Sequence, residues 1–189
     1  IGGGLYGSSI AYNLASKGAG RVLVLERGGI CSGSTAKSCA IVRTHYSIKA
    51  NLIHAVDSLK IFANFDDAIG GDCGWQRAGY VILGPEEHRR PMLEVFEAQN
   101  EHGVDTQLLT AAELKEIHPL LQVEDVGVIG YDTLTGYCDP HLTTTAYARR
   151  AKALGVTICP DTPVTGLTLN GDRKIVDTPA GTFETPILI

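Results

Sequence analysis

Apolar and polar positions near the start of the chain predict a helix followed by a buried strand. Residues 5–17 have the composition of a helix, with the small residues Ala11 and Ala15 on the side expected to face a sheet. The apolar run over residues 21–26 has the length and Val/Leu content of a strand. A helix followed by a short apolar strand is typical of an α/β protein with a parallel sheet.

The same pattern returns near the other end of the chain. Asp139 is placed to cap a helix whose first residue is Pro140 and which runs to Leu154. The apolar residues 156–159 then predict a second strand of the parallel sheet.

Three short strands joined by hairpin turns are predicted after this unit. The turns are residues 170–172 and 179–181, both rich in glycine, proline, aspartate or asparagine. We expect an antiparallel meander, after which Ile187–Ile189 returns to the main sheet. The predicted meander strands are residues 164–169, 174–178 and 182–184.

The middle of the chain has no second glycine loop and predicts an α+β lobe. Residues 47–69 predict one helix with an apolar stripe at three- and four-residue spacing, formed by Leu52, Val56, Leu59, Phe62 and Phe65. Thr110 and Glu113 have the spacing of a capping box that opens a later helix. The other predicted elements are strand 78–83, helix 86–102, strand 105–109 and strand 126–132.

These elements predict a discontinuous nucleotide-binding domain. Residues 1–45 and 136–189 form it, and residues 46–135 form a helical connection and part of a second lobe. Only Ile1 precedes the first glycine turn, and the apolar residues 186–189 end the chain within a predicted strand. We therefore expect the 189 residues to be the N-terminal part of a longer protein.

Composition narrows the functional classes. Hydrophobic residues make up 44% of the chain and charged residues 20%, which suits a globular core. The net charge of −5 disfavours a nucleic-acid surface, and no apolar run is long enough for a membrane span. The five cysteines follow no C-x-x-C or metal-ligand spacing, so we expect no metal site and a reducing compartment, either the cytoplasm or the mitochondrial matrix of a eukaryote.

The glycine-rich opening carries the strongest chemical signal. Gly2 suits a tight turn out of a strand, Gly4 allows backbone to approach a pyrophosphate, and Gly7 allows the helix to pack closely. The N-terminus of the helix then favours an anion. Glu26, at the end of the next strand, is placed to accept hydrogen bonds from a ribose hydroxyl.

Several further motifs give the chain a specific resemblance. They are Leu25-Glu26-Arg27, the segment 32–38 with Ile41-Val42-Arg43, Gly79-Tyr80, and Gly136-Tyr137-Cys138-Asp139-Pro140. With the glycine turn and the meander, they resemble the FAD-dependent amine and amino-acid oxidoreductases of the D-amino-acid oxidase superfamily. The resemblance is strongest to the branch of sarcosine oxidase β subunits and dimethylglycine dehydrogenases. It implies a Rossmann-like FAD-binding domain of the glutathione reductase-like type, interrupted by an α+β substrate lobe.

The resemblance implies a role for each matching residue on the cofactor side. The glycines would hold the pyrophosphate, Glu26 the adenosine ribose, and Arg27 would lie beside the adenine end. The hydroxyl-rich loop of residues 32–38 would run along the cofactor toward the flavin. The backbone of Val164, in the first predicted meander strand, would contact adenine. The implied FAD-binding residues are Gly2, Gly4, Gly7, Glu26, Arg27, Ser34, Thr35, Ser38 and Val164.

Arg43 is the main candidate on the substrate side. Relatives place a basic residue here, near the flavin and the substrate carboxylate, and a guanidinium pairs naturally with a carboxylate. A structural salt bridge is the alternative role for Arg43. Tyr46 and His45 are weaker candidates, and His45 is better explained as a packed or solvent-facing side chain than as a catalytic base.

The resemblance also implies how FAD is held. Dimethylglycine dehydrogenase-like relatives link FAD to a histidine near this loop, where the present chain has Ala36, Lys37 and Ser38. Monomeric sarcosine oxidases use a cysteine from a C-terminal half that this sequence does not include. We therefore expect noncovalent FAD.

The implied reaction is a two-electron oxidation of a C–N bond in a small secondary or tertiary amino acid of the sarcosine, dimethylglycine or glycine type. Oxygen or an electron carrier would accept the electrons, and partner subunits fit the sarcosine oxidase β-like branch. The alternatives are an FAD-dependent dehydrogenase of a hydroxy acid or glycerol phosphate, and a nucleotide-binding subunit without activity. The 189 residues by themselves are expected to turn over nothing.

Overall fold

The computed structural model describes residues 1–189. Its helices are α1 (Leu5–Ser16), α2 (Lys49–Ala63), α3 (Phe65–Ala68), α4 (Arg89–Glu101), α5 (Ala111–Ile117) and α6 (Pro140–Ala153). Its strands are β1 (Leu23–Leu25), β2 (Ile41–Val42), β3 (Gln76–Arg77), β4 (Tyr80–Gly84), β5 (Thr106–Leu108), β6 (Val128–Asp132), β7 (Gly136–Tyr137), β8 (Thr157–Cys159), β9 (Gly166–Asn170), β10 (Arg173–Thr178) and β11 (Gly181–Thr185). None of the helices combines the length and apolarity needed to cross a bilayer.

The chain forms two compact units. The first unit contains residues 1–39, 65–74 and 139–189, and the second contains residues 40–64 and 75–138. Assignment of residues 1–45 and 136–189 to cofactor binding, and of 46–135 to a substrate lobe, remains a prediction.

The predicted parallel α/β step is confirmed in the first unit. Strands β1 and β8 pair in parallel, with Val24 opposite Ile158. Helices α1 and α6 pack beside them through small side chains, among which Ala11 and Ala151 are buried. Each methylene removed from water here contributes about 0.8 kcal/mol, and the small side chains let the helices approach closely.

The predicted meander is also confirmed, with two corrections at its ends. Strands β9, β10 and β11 are antiparallel neighbours. Val164 does not lie in the first of these strands, which begins at Gly166. Residues 187–189 form no strand. The Ile1 amino group donates a 2.7 Å hydrogen bond to the Ile189 carbonyl, but these residues pair in no strand ladder.

The helix predicted over residues 47–69 is interrupted. Asn64 has φ −129° and ψ 42°, outside the helical range, and separates α2 from α3. The stripe residues Leu52 and Val56 are buried in the second unit. Phe65 is buried in the first unit, with its ring 5.5 Å from that of Tyr147. Residues of one apolar stripe are therefore buried in two different cores. The periodicity of the stripe alone could not indicate this division.

The second unit is built on an antiparallel sheet with strand order β4-β6-β5. Gly130 of β6 leaves room for the Phe96 ring of α4, because a Cβ at this glycine would overlap that ring. A smaller sheet places β7 between β2 and β3. The sequence motif Ile41-Val42-Arg43 contains β2, but the pairing of these three strands was not predicted.

The predicted helix starts are confirmed by their caps. The Thr110 hydroxyl accepts a hydrogen bond from the Glu113 amide, and the Glu113 carboxylate accepts one from the Thr110 amide. Asp139 caps α6 by accepting a 2.7 Å hydrogen bond from the Leu142 amide. The helix predicted from residue 86 begins with a tighter turn over 86–88 before α4.

Candidate functional site

The glycine turn before α1 depends on two glycines that meet. Gly2 has φ +101°, which favours glycine, and its amide donates to the Leu25 carbonyl at 2.8 Å. A Cβ on Gly7 would overlap the Gly2 carbonyl oxygen. The missing side chain of Gly7 therefore lets the first helical turn lie directly against the glycine turn.

Thr35 lies against the N-terminus of α1. Its hydroxyl oxygen accepts a 3.2 Å hydrogen bond from the Leu5 amide, and a Cβ on Gly4 would lie only 2.9 Å from that oxygen. Gly4 is the N-cap and offers no side-chain acceptor. The amides of the first turn lack helical acceptors by geometry, so this end of α1 is suited to bind an anion.

Glu26, which directly follows β1, borders the same site. Its two carboxylate oxygens accept hydrogen bonds from the Gly3 amide at 2.6 Å and the Gly28 amide at 2.8 Å. Burial alone would raise the pKa of Glu26, but these amides and the Arg27 charge outweigh it and leave the pKa lowered. Glu26 is thus an oriented carboxylate with acceptor capacity left for a ribose hydroxyl.

The loops around Glu26 are joined by backbone hydrogen bonds. The Thr162 amide donates to the Glu26 carbonyl at 2.8 Å, and the Asp161 amide donates to the Gly28 carbonyl at 3.1 Å. Arg27 is exposed, and Val164 is half-buried in the loop before β9. The structure therefore brings the ends of β1 and β8 together, as expected for a nucleotide site at the carboxyl edge of a parallel sheet.

The glycines, Thr35 and Glu26 fit an ADP moiety. A glycine turn in which a Cβ on Gly4 or Gly7 would meet Thr35 or the Gly2 carbonyl, a helix N-terminus and an oriented carboxylate match a pyrophosphate and a ribose in chemistry and order. Ser34 and Ser38 are exposed in the same loop, on either side of the tight helical turn Thr35–Lys37. No metal-binding group of three or more His, Cys, Asp or Glu side chains occurs in the structure.

The sequence interpretation missed the role of Gly3. Its amide holds Glu26, its carbonyl accepts a 3.0 Å hydrogen bond from the Cys31 amide, and a Cβ would lie 2.6 Å from Ile30 Cδ1. The three consecutive glycines at positions 2–4 could have indicated this role. The dinucleotide-binding fingerprint requires glycine only at the first and third of these positions, so the glycine at the second needs another reason.

Arg43 and Tyr46 meet in the second unit. The guanidinium carbon of Arg43 lies 5.1 Å from the centre of the Tyr46 ring, within the range of a cation–π interaction. Tyr46 packs on the buried cluster of Leu52, Val56 and Val104. Arg43 is exposed, so a positive charge is held at the surface by an aromatic ring that is itself anchored in a core.

His45 is a half-buried side chain that packs on Phe96. Its ring lies 5.8 Å from that of Phe96, and Nδ1 is buried without a hydrogen-bond partner. Burial lowers the pKa of His45, with a smaller lowering by the Arg43 charge, against opposing effects of Gln99 and Asp132. The imidazole is therefore neutral near pH 7.

A buried polar network beside these residues was not predicted. The hydroxyl of Thr44 donates to Asp132 Oδ2 at 2.5 Å and accepts from Gln99 Nε2 at 3.2 Å. All three side chains have 0% exposure. Burial raises the pKa of Asp132, against hydrogen bonds from Thr44, Leu134 and Thr135 that lower it. No local sequence signal marks these residues, which lie up to 88 positions apart.

The candidates thus divide between the units. The candidate cofactor residues, from Gly2 to Ser38 and Val164, belong to the first unit. Arg43, His45 and Tyr46 belong to the second unit. Within each unit the structure brings together Gly2 with Gly7, Gly4 with Thr35, and Arg43 with Tyr46.

Comparison with known proteins gives a consistent result. A sequence model described as "DAO: FAD dependent oxidoreductase" matches residues 1–189. The mitochondrial dimethylglycine dehydrogenase of Rattus norvegicus is 30% identical over 97% of this chain and 22% of its own length. Sarcosine oxidase subunit beta of an Arthrobacter sp. is 30% identical over 97% of this chain and 47% of its own length.

A solved structure agrees with these sequence matches. The crystal structure of L-proline dehydrogenase from P. horikoshii superimposes with a TM-score of 0.89 at 32% identity. The match covers 99% of this chain and 50% of that protein. The chain therefore spans half or less of each of the three proteins.

Proposed function

This chain belongs to the family of FAD-dependent oxidoreductases that includes these proteins, and from that premise we propose that it forms the ADP-binding part of an amino-acid-oxidising flavoenzyme. The family and the Rossmann-like α/β fold expected from the sequence motifs are confirmed. The substrate, the mode of FAD attachment and the residue roles below are proposals.

The observation that carries the proposal is the joint placement of Glu26 and the glycine turn. The Gly3 amide holds the Glu26 carboxylate 2.6 Å away, next to the glycine turn on which Gly7 lets the first turn of α1 pack directly. In this arrangement the α1 amides bind the pyrophosphate and Glu26 binds the adenosine ribose. Thr35 orders the first turn through its bond from the Leu5 amide, and Ser34 and Ser38 would lie along the cofactor. FAD held by these residues would supply the two-electron chemistry for oxidising a substrate C–N bond.

The substrate proposal rests on Arg43 and on the relatives. Dimethylglycine dehydrogenase, sarcosine oxidase subunit beta and L-proline dehydrogenase are named for small secondary or tertiary amino acids. A guanidinium binds a carboxylate through two parallel hydrogen bonds, so Arg43 would fix the acid end and leave the amine end to be oxidised. Such an anchor favours amino acids over amines that have no carboxylate.

The direct test is anaerobic mixing of the protein that carries this chain with sarcosine, dimethylglycine, proline and glycine. We expect bleaching of the flavin absorbance with at least one of them and slower bleaching with the matching amine that lacks a carboxylate. No bleaching with any of the four would contradict the proposal. Repeating the reaction with oxygen, and with an artificial carrier in its absence, identifies the electron acceptor.

A second candidate function uses the same guanidinium. Arg43 pairs with a phosphate as readily as with a carboxylate, which suits a hydroxy-acid or glycerol-phosphate dehydrogenase. Bleaching by lactate or glycerol 3-phosphate, without bleaching by the amino acids, would favour that function. FAD binding without bleaching by any substrate would favour a non-catalytic subunit. Denaturation that releases all FAD into solution would support noncovalent binding, and copurifying proteins would identify partner subunits.

A further inference from the structure

Residues 43–46 have no regular secondary structure, yet each of their side chains makes a specific tertiary contact. Arg43 lies over the ring of Tyr46, and Tyr46 packs on the cluster around Leu52. Thr44 is bonded within the polar network, and the ring of His45 packs on Phe96. An irregular segment held at four consecutive positions is ordered by tertiary contacts, since no backbone ladder is present to order it.

Thr44 is the fixed point of this segment. It is fully buried, and its hydroxyl both donates to Asp132 and accepts from Gln99. A hydroxyl that donates to a carboxylate and accepts from an amide can adopt few other orientations without leaving a buried polar group unpaired. The backbone on either side of Thr44 is therefore restrained as well.

Asp132 connects this fixed point to the adjoining sheet. Its other oxygen accepts hydrogen bonds from the Leu134 amide at 2.9 Å and the Thr135 amide at 3.3 Å. These amides lie in the turn that leads into β7, and β7 pairs with β2, where Val42 lies opposite Gly136. One carboxylate thus bonds both the turn before β7 and Thr44, the residue that follows Arg43.

Helix α4 supplies the remaining support. Phe96 and Gln99 are three residues apart and so share one face of the helix. Phe96 contacts His45 and Gln99 contacts Thr44, so one helical face holds two consecutive residues of the segment.

We propose that Asp132, Gln99 and Thr44 form a positioning network for Arg43. The network holds the Arg43 guanidinium in the orientation that binds a substrate carboxylate. The inference rests on the proposed role of Arg43. Because Thr44 adjoins Arg43 and Tyr46 supports its cation, the network holds the arginine before the ligand arrives. Preorganisation of this kind strengthens binding by reducing the ordering needed at the time of binding. None of the three network residues is required to touch the substrate.

The test uses acetate, a carboxylate without an amine, titrated into the FAD-loaded protein that carries this chain. Its dissociation constant is read from the flavin difference spectrum, which does not require turnover. Thr44→Val removes the hydroxyl at nearly constant volume, Thr44→Ser keeps it, and Gln99→Met removes the amide. Thr182→Val is the control, because it removes a Thr–Asp hydrogen bond of the meander, that of Thr182 with Asp177 at 3.0 Å.

We expect Thr44→Val and Gln99→Met to weaken acetate binding by about tenfold, within the loss that a misplaced anchoring group causes. Thr44→Ser should keep binding within about twofold of the natural protein, and Thr182→Val should leave it unchanged. With the amino-acid substrate, KM should rise by the same factor while kcat changes less, as for loss of a uniform binding contact. FAD content and melting temperature, measured for every variant, separate this effect from unfolding.

Two results would overturn the inference in distinguishable ways. If Arg43→Gln abolishes acetate binding but folded Thr44→Val and Gln99→Met bind acetate normally, Arg43 is an anchor that needs no such network. If Arg43→Gln binds acetate normally, the anchoring role of Arg43 in the proposed function is wrong, and the positioning network has nothing to position.

Discussion

The backbone amide of Gly3 donates a 2.6 Å hydrogen bond to the carboxylate of Glu26, across 23 positions of sequence. The bond joins the glycine turn to the end of β1, the two parts of the chain that the sequence pattern assigned to one nucleotide. Gly28 donates to the other oxygen of the same carboxylate. The orientation of Glu26 is therefore set by backbone groups before a ribose is present.

Replacement of Glu26 should weaken FAD binding. In Glu26→Gln, one acceptor oxygen becomes an NH₂ group that faces a backbone donor, and a charge-assisted bond is lost. We expect an increase of about tenfold in the dissociation constant of FAD, measured by fluorescence quenching in the apoprotein. Glu184→Gln, which alters an exposed ion pair with Arg173 on the meander, is the control and should bind FAD normally.

Gly7→Ala should destabilise the first unit. The new methyl group would overlap the Gly2 carbonyl, which is backbone and has a restricted position. Overpacking of this kind costs about 1–3 kcal/mol, which corresponds to a fall of several degrees in melting temperature for a chain of this size. Gly29→Ala adds the same methyl group where no atom lies within 4 Å, so an equal fall in both variants would contradict the explanation.

Substitutions of Thr35 test whether its hydrogen bond from the Leu5 amide stabilises the protein and supports FAD binding. Thr35→Val removes the acceptor of the Leu5 amide at nearly constant volume, while Thr35→Ser keeps an oxygen there. We expect the valine variant to lose about 1 kcal/mol of stability to denaturant and to bind FAD less tightly, and the serine variant to retain most of both. Equal behaviour of the two variants would show that the hydroxyl has no part in either property.

His45 should make stability depend on pH. Burial lowers the folded-state pKa of His45 below its ordinary value of 6.5, so the unfolded chain binds more protons in the window below 6.5. The contribution of the neutral imidazole is fully present above pH 6.5 and is lost as the pH falls toward the folded-state pKa. We expect His45→Gln to reduce the fall in melting temperature between about pH 7.5 and pH 5.5. The exposed His141→Gln variant is the control, and a pH dependence unaltered by His45→Gln would contradict the prediction.

Asp139 should stabilise α6 through its cap. Asp139→Ala removes the acceptor of the 2.7 Å bond from the Leu142 amide and should cost about 1 kcal/mol, or about 2–4 °C in melting temperature. Asp139→Asn keeps an acceptor and should lose less. Thermal unfolding followed by circular dichroism distinguishes the two variants.

Much of the fold could be predicted because its signals are local. The turn at Gly2 and Gly7, the cap at Asp139 and the hairpin turns around Gly171 and Gly181 are each specified within a few residues. The spacing from the glycine turn to Glu26 is almost as local, since it spans one helix and one strand. Motifs of this kind depend on backbone conformation and periodicity, which the chain encodes directly.

The sequence by itself therefore determined the α/β step, the meander and the glycine turn with Glu26 that we propose to bind ADP. Tertiary structure decided that the stripe from Leu52 to Phe65 serves two separate cores, that Gly3 holds Glu26, and that Thr44 meets Asp132 and Gln99. An apolar stripe reports that a face is buried without indicating which core buries it, and a lone Thr or Asp gives no sign of its partner. Such choices depend on which distant elements pack together, and that information arises only when the whole chain folds.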